Sequence, residues 1–197
     1  MRTLALLLLT TIACATAPRA EDKGPTNEDP MAEATEMEAM QPPQKTAEHE
    51  WLAKLAGQWS WVMEVPAPEE GKPAWAGVAD TRMLGDLWIV SEWGDTEGSK
   101  ESASIQTIGY DPDKGSFVGT FISAMGTHLW LYEGRLEDDR KALVLEAEGP
   151  HMSHPGKKIP YRDIIRLQGP DEYVLESEYL EDGTWKNFMR AIFKRKK

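Results

Sequence analysis

Cysteine is nearly missing from this chain: Cys14 is the single one among 197 residues. That excludes an internal disulfide framework and a cysteine-rich zinc site. Histidine is scarce, at four. Positive charge is in deficit, with 22 Lys+Arg against 33 Asp+Glu and a formal net charge of −11. Such a balance argues against a nucleic-acid surface and against electrostatic docking on anionic lipid. No apolar run approaches the roughly 20 residues that a membrane-spanning helix needs. A Gly-x-Ser-x-Gly elbow, a phosphate-cradling glycine loop and a His-Glu-x-x-His helix are also lacking, and with them the usual signatures of serine hydrolases, nucleotide binders and zinc peptidases.

What is present divides by texture. Arg2 is followed by the apolar core Leu4 to Ile12 and then by Ala13, Cys14, Ala15, Thr16 and Ala17. This three-part layout is that of a secretory signal peptide, assigned to residues 1–14. Two processing routes are open: ordinary cleavage at Ala13-Cys14-Ala15, or a lipoprotein route in which Thr11-Ile12-Ala13-Cys14 serves as the lipobox and Cys14 is lipidated. Residues 15–46 are rich in Glu, Asp and Pro and contain no aromatic side chain. Such a segment buries too little apolar surface to offset its chain entropy, so a disordered acidic linker is expected. The folded domain is expected over 47–197.

That domain opens with a short helical pattern, Glu48 to Ala56, in which Trp51, Leu52 and Leu55 share a side. Thr46 is its expected N-cap and Gly57 its stop. Every later segment reads as strand, about ten in all, near Gln58–Val65, Ala74–Met83, Leu87–Gly94, Glu101–Asp111, Ser116–Ala124, Thr127–Glu137, Ala142–Gly149, Lys158–Gln168, Asp171–Leu180 and Thr184–Lys194. Asp111-Pro112-Asp113-Lys114-Gly115 and Asp182-Gly183 are hairpin signals between them. Short connections without crossovers predict an all-β fold, a closed antiparallel up-and-down barrel that leaves no exposed strand edge.

Period-two alternation sorts the side chains. It sends inward Trp59, Trp61, Met63 and Val65; His128, Trp130 and Tyr132; Tyr161, Asp163, Ile165 and Leu167; Tyr173, Leu175, Ser177 and Tyr179; and Asn187, Met189, Ala191 and Phe193. The strand around Trp88–Trp93 stays open, with Glu92 facing either way. The tail Lys194-Arg195-Lys196-Lys197 reads as a solvated strand end.

The series His49-Glu50-x-Leu52-x-x-Leu55-x-Gly57-x-Trp59, Arg82-Met83-Leu84-Gly85, Ser91-Glu92-Trp93, Ile108-Gly109-Tyr110-Asp111, Val118-Gly119-Thr120-Phe121 and Gly156-Lys157-Lys158 before Tyr161-Arg162-Asp163 resembles the bacterial calycin-like family labelled domain of unknown function 1579. The resemblance covers the folded part. It implies a closed lipocalin-like barrel of about ten strands, often exported, and it implies no chemistry.

Three functions are compatible with these residues. An exported binder of a small apolar or amphipathic molecule would use the inward His128, Trp130, Tyr132, Asp163, Tyr161, Tyr179, Trp61 and Met63, with Glu92 if it faces in. A barrel enzyme would move protons with His128, Asp163 and Glu92. A filled barrel would act as a scaffold through surface tryptophans such as Trp75, Trp93 or Trp185. His151 and His154 have ligand spacing in a loop but no evident third ligand, so no metal or cofactor is expected. The expected partner is a small ligand, with no nucleic acid, and with a membrane only through Cys14.

Overall fold

Thr46 stands in extended conformation and begins the helix α1, Ala47–Ala53. Its hydroxyl accepts the Glu48 N–H at 3.3 Å, while the Thr46 N–H donates to His49 Nδ1 at 3.0 Å. This is a capping box with histidine where glutamate is usual. The helix is too short to be stable alone; Trp51, Leu52 and Leu55, all buried, fix it to the domain. The computed structural model describes residues 43–64 and 75–197. The expected signal peptide, Cys14, most of the expected linker and Val65 lie outside them. Among the described residues no helix is long and apolar enough to cross a membrane.

Ten strands follow: β1 Gly57–Glu64, β2 Ala76–Leu84, β3 Trp88–Asp95, β4 Ser104–Asp111, β5 Ser116–Ser123, β6 Trp130–Leu136, β7 Ala142–Pro150, β8 Lys158–Leu167, β9 Glu172–Glu181 and β10 Thr184–Arg195. Each pairs antiparallel with its chain neighbours, and β1 pairs with β10 from Trp59↔Arg195 to Glu64↔Arg190. The barrel is closed, as expected. Asp182 and Gly183, at φ 51° and 74°, form the tight turn that their sequence signals.

Two local expectations are corrected. The stretch before β4 is a 3₁₀ turn, Lys100–Ser102, because the Ser99 hydroxyl accepts the Glu101 N–H and caps it. In β10 the register shifts between Asn187 and Met189. This bulge leaves Asn187 exposed and turns Phe188 against Tyr161 and Tyr179.

The two ends of the barrel differ. Helix α1 closes the end formed by the β2–β3, β4–β5, β6–β7 and β8–β9 turns: Trp51 packs on Phe117, His49 on Tyr110, and the Trp51 Nε1–H donates to the Arg140 carbonyl at 2.8 Å. Under the helix, Trp59 meets Tyr173 at 4.8 Å, and Tyr173 stacks on Phe193 at 4.4 Å. Arg195 completes this end and is no solvated tail residue. Its guanidinium lies 4.1 Å over the Trp59 ring and donates to the carbonyls of Ala56, Lys54 and Pro170. Gly57, at φ 138°, passes so close beneath that a Cβ there would meet Arg195 at 2.2 Å.

Candidate functional site

Above the apolar floor the interior turns polar. Asp163 on β8 points inward and is held from two sides: the Tyr132 hydroxyl donates to Oδ2 at 2.6 Å and the Ser177 hydroxyl to Oδ1 at 2.5 Å. Burial pushes the Asp163 carboxyl above the ordinary aspartate range, and the two hydroxyl donors oppose that rise only in part. Burial likewise raises the Tyr132 phenol, assisted by the Asp163 charge. Gln106, itself buried, lies against the Tyr132 hydroxyl.

Across the barrel the Thr81 and Ser91 hydroxyls are 2.6 Å apart, and the Trp93 Nε1–H donates to Ser91 Oγ at 2.6 Å. Between the two groups lies a cavity of about 10 Å³ lined by Thr81, Ser91, Trp93 and Gln106, with Ile89, Ile165 and Leu175 among its apolar walls. That is room for one water.

Toward the uncapped end the interior becomes aromatic. Trp130 meets Tyr161 edge-on at 4.9 Å, and Tyr161, Tyr179 and Phe188 cluster within 6.3 Å of one another. Trp61, Met63, Trp93, Phe121 and Met189 line the remaining wall of this level. Unlike the side chains under α1, nearly all of these are only half-buried. The Tyr161 hydroxyl donates to the Pro150 carbonyl at 2.7 Å and so ties the β7–β8 loop to the wall. Burial raises the Tyr161 phenol as well. This half-exposed aromatic level, termed the cup below, lies toward the uncapped end from the inward Asp163 carboxyl.

Residues 44–195 match the family described as Protein of unknown function (DUF1579). The chain belongs to that family. No curated protein matches it. Among solved structures, a redesigned β barrel is similar at 10% identity with a TM-score of 0.33, over 74% of this chain and 95% of that one. A likeness so loose adds nothing to the strand pairing described above.

In this DUF1579 barrel the three residues suited to acid–base chemistry are apart. The His128 Nε2–H donates to the Glu148 carbonyl at 3.0 Å, at the rim, with the ring edge-on to Trp130. Asp163 is occupied by Tyr132 and Ser177, so His128 is not its partner. Glu92 is exposed on the outer wall, in a groove of about 300 Å³ with Asp80, Gln58 and Lys196. Its strand is settled by its neighbours: Ile89 and Ser91 are buried and Trp93 packs on the core, so Glu92 must face out. Trp93 is therefore no surface tryptophan. Trp185 is half-buried under Arg162, 4.3 Å from its ring, while Trp75 is exposed.

The His151–His154 spacing has a local explanation. The buried His151 accepts the Ser153 N–H on Nδ1 at 3.0 Å, and its Nε2 lies 3.4 Å from Glu181. His154 packs edge-on against it at 4.3 Å. Among the described residues no group of three His, Cys, Asp or Glu is placed to hold a metal ion. Glu181 also bonds Lys186 at 2.5 Å, and that bond is the chief cause of its lowered pKa.

Sequence reasoning missed Thr81, Ser91, Trp93 and Gln106. The charge of Glu92 was the available signal for Ser91 and Trp93, since an outward Glu92 forces both inward. Phe188 had no signal, because a bulge breaks the period that alternation relies on.

Proposed function

We propose that this chain is an exported binding protein of a cell envelope that holds a small apolar or amphipathic molecule in its aromatic cup. One observation carries the reading: inward aromatic side chains are half-exposed at the end that α1 leaves uncovered, whereas those under α1 are sealed. A barrel built only to be filled gains nothing by keeping Trp61, Trp130, Tyr179 and Phe188 wet, since each half-buried ring forgoes apolar burial. Export rests on the layout of residues 1–14.

The test is native mass spectrometry of the gently purified full-length protein, followed by small-molecule analysis after denaturation. A stoichiometric co-purifying molecule is expected. In a companion titration with N-phenyl-1-naphthylamine, Trp130→Ala should weaken binding about tenfold, or ~1.4 kcal/mol, and leave the fold intact. A clean apo mass together with no probe binding would sink the reading. It would favour the second one, a filled-barrel scaffold, which the one-water size of the interior cavity supports. Export has its own readout. Intact mass from the native host should show cleavage after Ala15 or acyl chains on Cys14, and a retained Met1 would overturn it.

A further inference from the structure

The outer surface of the barrel is two-sided. On β8, β9, β10 and β1 the outward positions are charged and paired: Arg162 with Glu178 at 2.6 Å, Arg166 with Glu137 at 2.8 Å, Arg190 with Glu64 and with Glu176, and Lys194 with Glu172. On the opposite side, β3 to β6, the pairing aligns Val90–Thr107–Thr120–Leu131 in one row, with Trp88–Gly109–Val118 and Ile105–Ile122 on either side of it. None of these nine residues is charged, in a chain that is 28% charged. Ile105, Ile122 and Leu131 are 40%, 46% and 63% exposed. Trp88 lies flat over Gly109, where a Cβ would meet its ring at 2.5 Å, so the face is smooth. A contiguous uncharged sheet face of this kind marks an interaction surface.

The charges at its edges select the occupant. Arg82 on β2, opposite Val90, stands just beyond one edge, and Glu133 on β6, opposite Val118, just beyond the other. Asp80 and Glu92 continue the first edge toward the uncapped end and limit overlap there. A two-fold axis parallel to the strands lays the Arg82 edge of one copy on the Glu133 edge of the other, and does so twice. Molecules of net charge −11 repel one another elsewhere, and here they meet without opposed carboxylates. The face carries no run of basic residues for an anionic lipid or a nucleic acid.

We propose that two copies of this chain pair through the β3–β6 face, centred on Thr107 and Thr120. The pairing is independent of what the cup holds. Sedimentation velocity on the full-length protein over a wide concentration range tests it, with circular dichroism confirming that each variant is folded. A dimer is expected, and Ile122→Glu should raise its dissociation constant at least about tenfold. Arg82→Glu and Glu133→Arg should each weaken it singly, while the double exchange restores it, since the cycle isolates that contact. Three results would overturn the proposal: a monomer at every concentration, a dimer indifferent to Ile122→Glu, or an exchange variant no better than the singles. A monomer that co-floats with phosphatidylcholine vesicles only when Ile122 is intact would give the face to lipid instead.

Discussion

Arg195 ties three separate parts of the fold together. It covers Trp59, satisfies the Ala56 and Lys54 carbonyls where α1 ends, and holds the Pro170 carbonyl of the β8–β9 turn. Charged hydrogen bonds and a cation–π contact at a partly exposed site together support a loss of about 2 kcal/mol for Arg195→Ala. A urea titration of the full-length protein measures it. Gly57→Ala should cost a similar amount for a separate reason, the positive φ and the guanidinium in the way of a Cβ.

Asp163 makes the opposite kind of prediction. Burial raises its native pKa, so only between the ordinary aspartate value and the raised one does its carboxyl hold a proton that the unfolded chain has already released. The native state therefore binds more protons than the unfolded one above the ordinary aspartate pKa of 3.8. Stability falls as pH rises from there through the raised value. Asp163→Asn should remove that fall, so thermal melts of the two proteins should converge in acid and separate toward neutrality, with the variant the more stable. Glu137 contributes with the reverse sign: its hydrogen bond from Arg166 lowers its pKa, so its contribution is lost as pH falls.

At the scale of the element, α1 lives by its cap and its buried face. Thr46→Ala removes the acceptor for the Glu48 N–H and should lower stability by about 1 kcal/mol, read from the same urea titration. The strands show how far sequence alone reaches. All ten were legible because strand-forming runs of seven or more residues recur between turn signals, and alternation sorted the faces of β1, β6, β8, β9 and most of β10. The inward Trp130, Tyr132, Tyr161 and Tyr179 followed from the same rule. What escaped is what does not alternate or carries no burial preference. Phe188 sits in a bulge, Lys100–Ser102 is set by one serine hydroxyl, and Thr81, Ser91 and Gln106 are polar residues whose burial is decided only by partners on other strands. The proximity of Tyr132 and Ser177 to Asp163 is a matter of register across β6, β8 and β9, and no local pattern encodes it.

For the whole molecule, the contrast between a sealed end and a half-exposed one predicts unequal local stability. Amides of β1, β9 and β10 beneath α1 should exchange with solvent only on global unfolding. Those near Ser104, Ser123 and Trp130, at the uncapped end, should open more readily. Hydrogen exchange read by mass spectrometry resolves the two sets, and uniform protection along β5 and β6 would contradict the assignment. A molecule seated in the cup would raise protection at Trp130 and leave the sealed end unchanged.

The first strand can finish its pairing only with the last. Ala56 and Arg195, joined by a hydrogen bond, are 139 residues apart, so during synthesis β1 waits with one edge bare until β10 has emerged. Until then the chain is an open, tryptophan-rich sheet with two sticky margins, the state in which β-proteins aggregate. Removing the last three residues would keep every strand signal and yet withhold the side chain that fastens the beginning of the domain to its end. A chain cut short of Arg195 should therefore aggregate more readily as it is made than the one that reaches it.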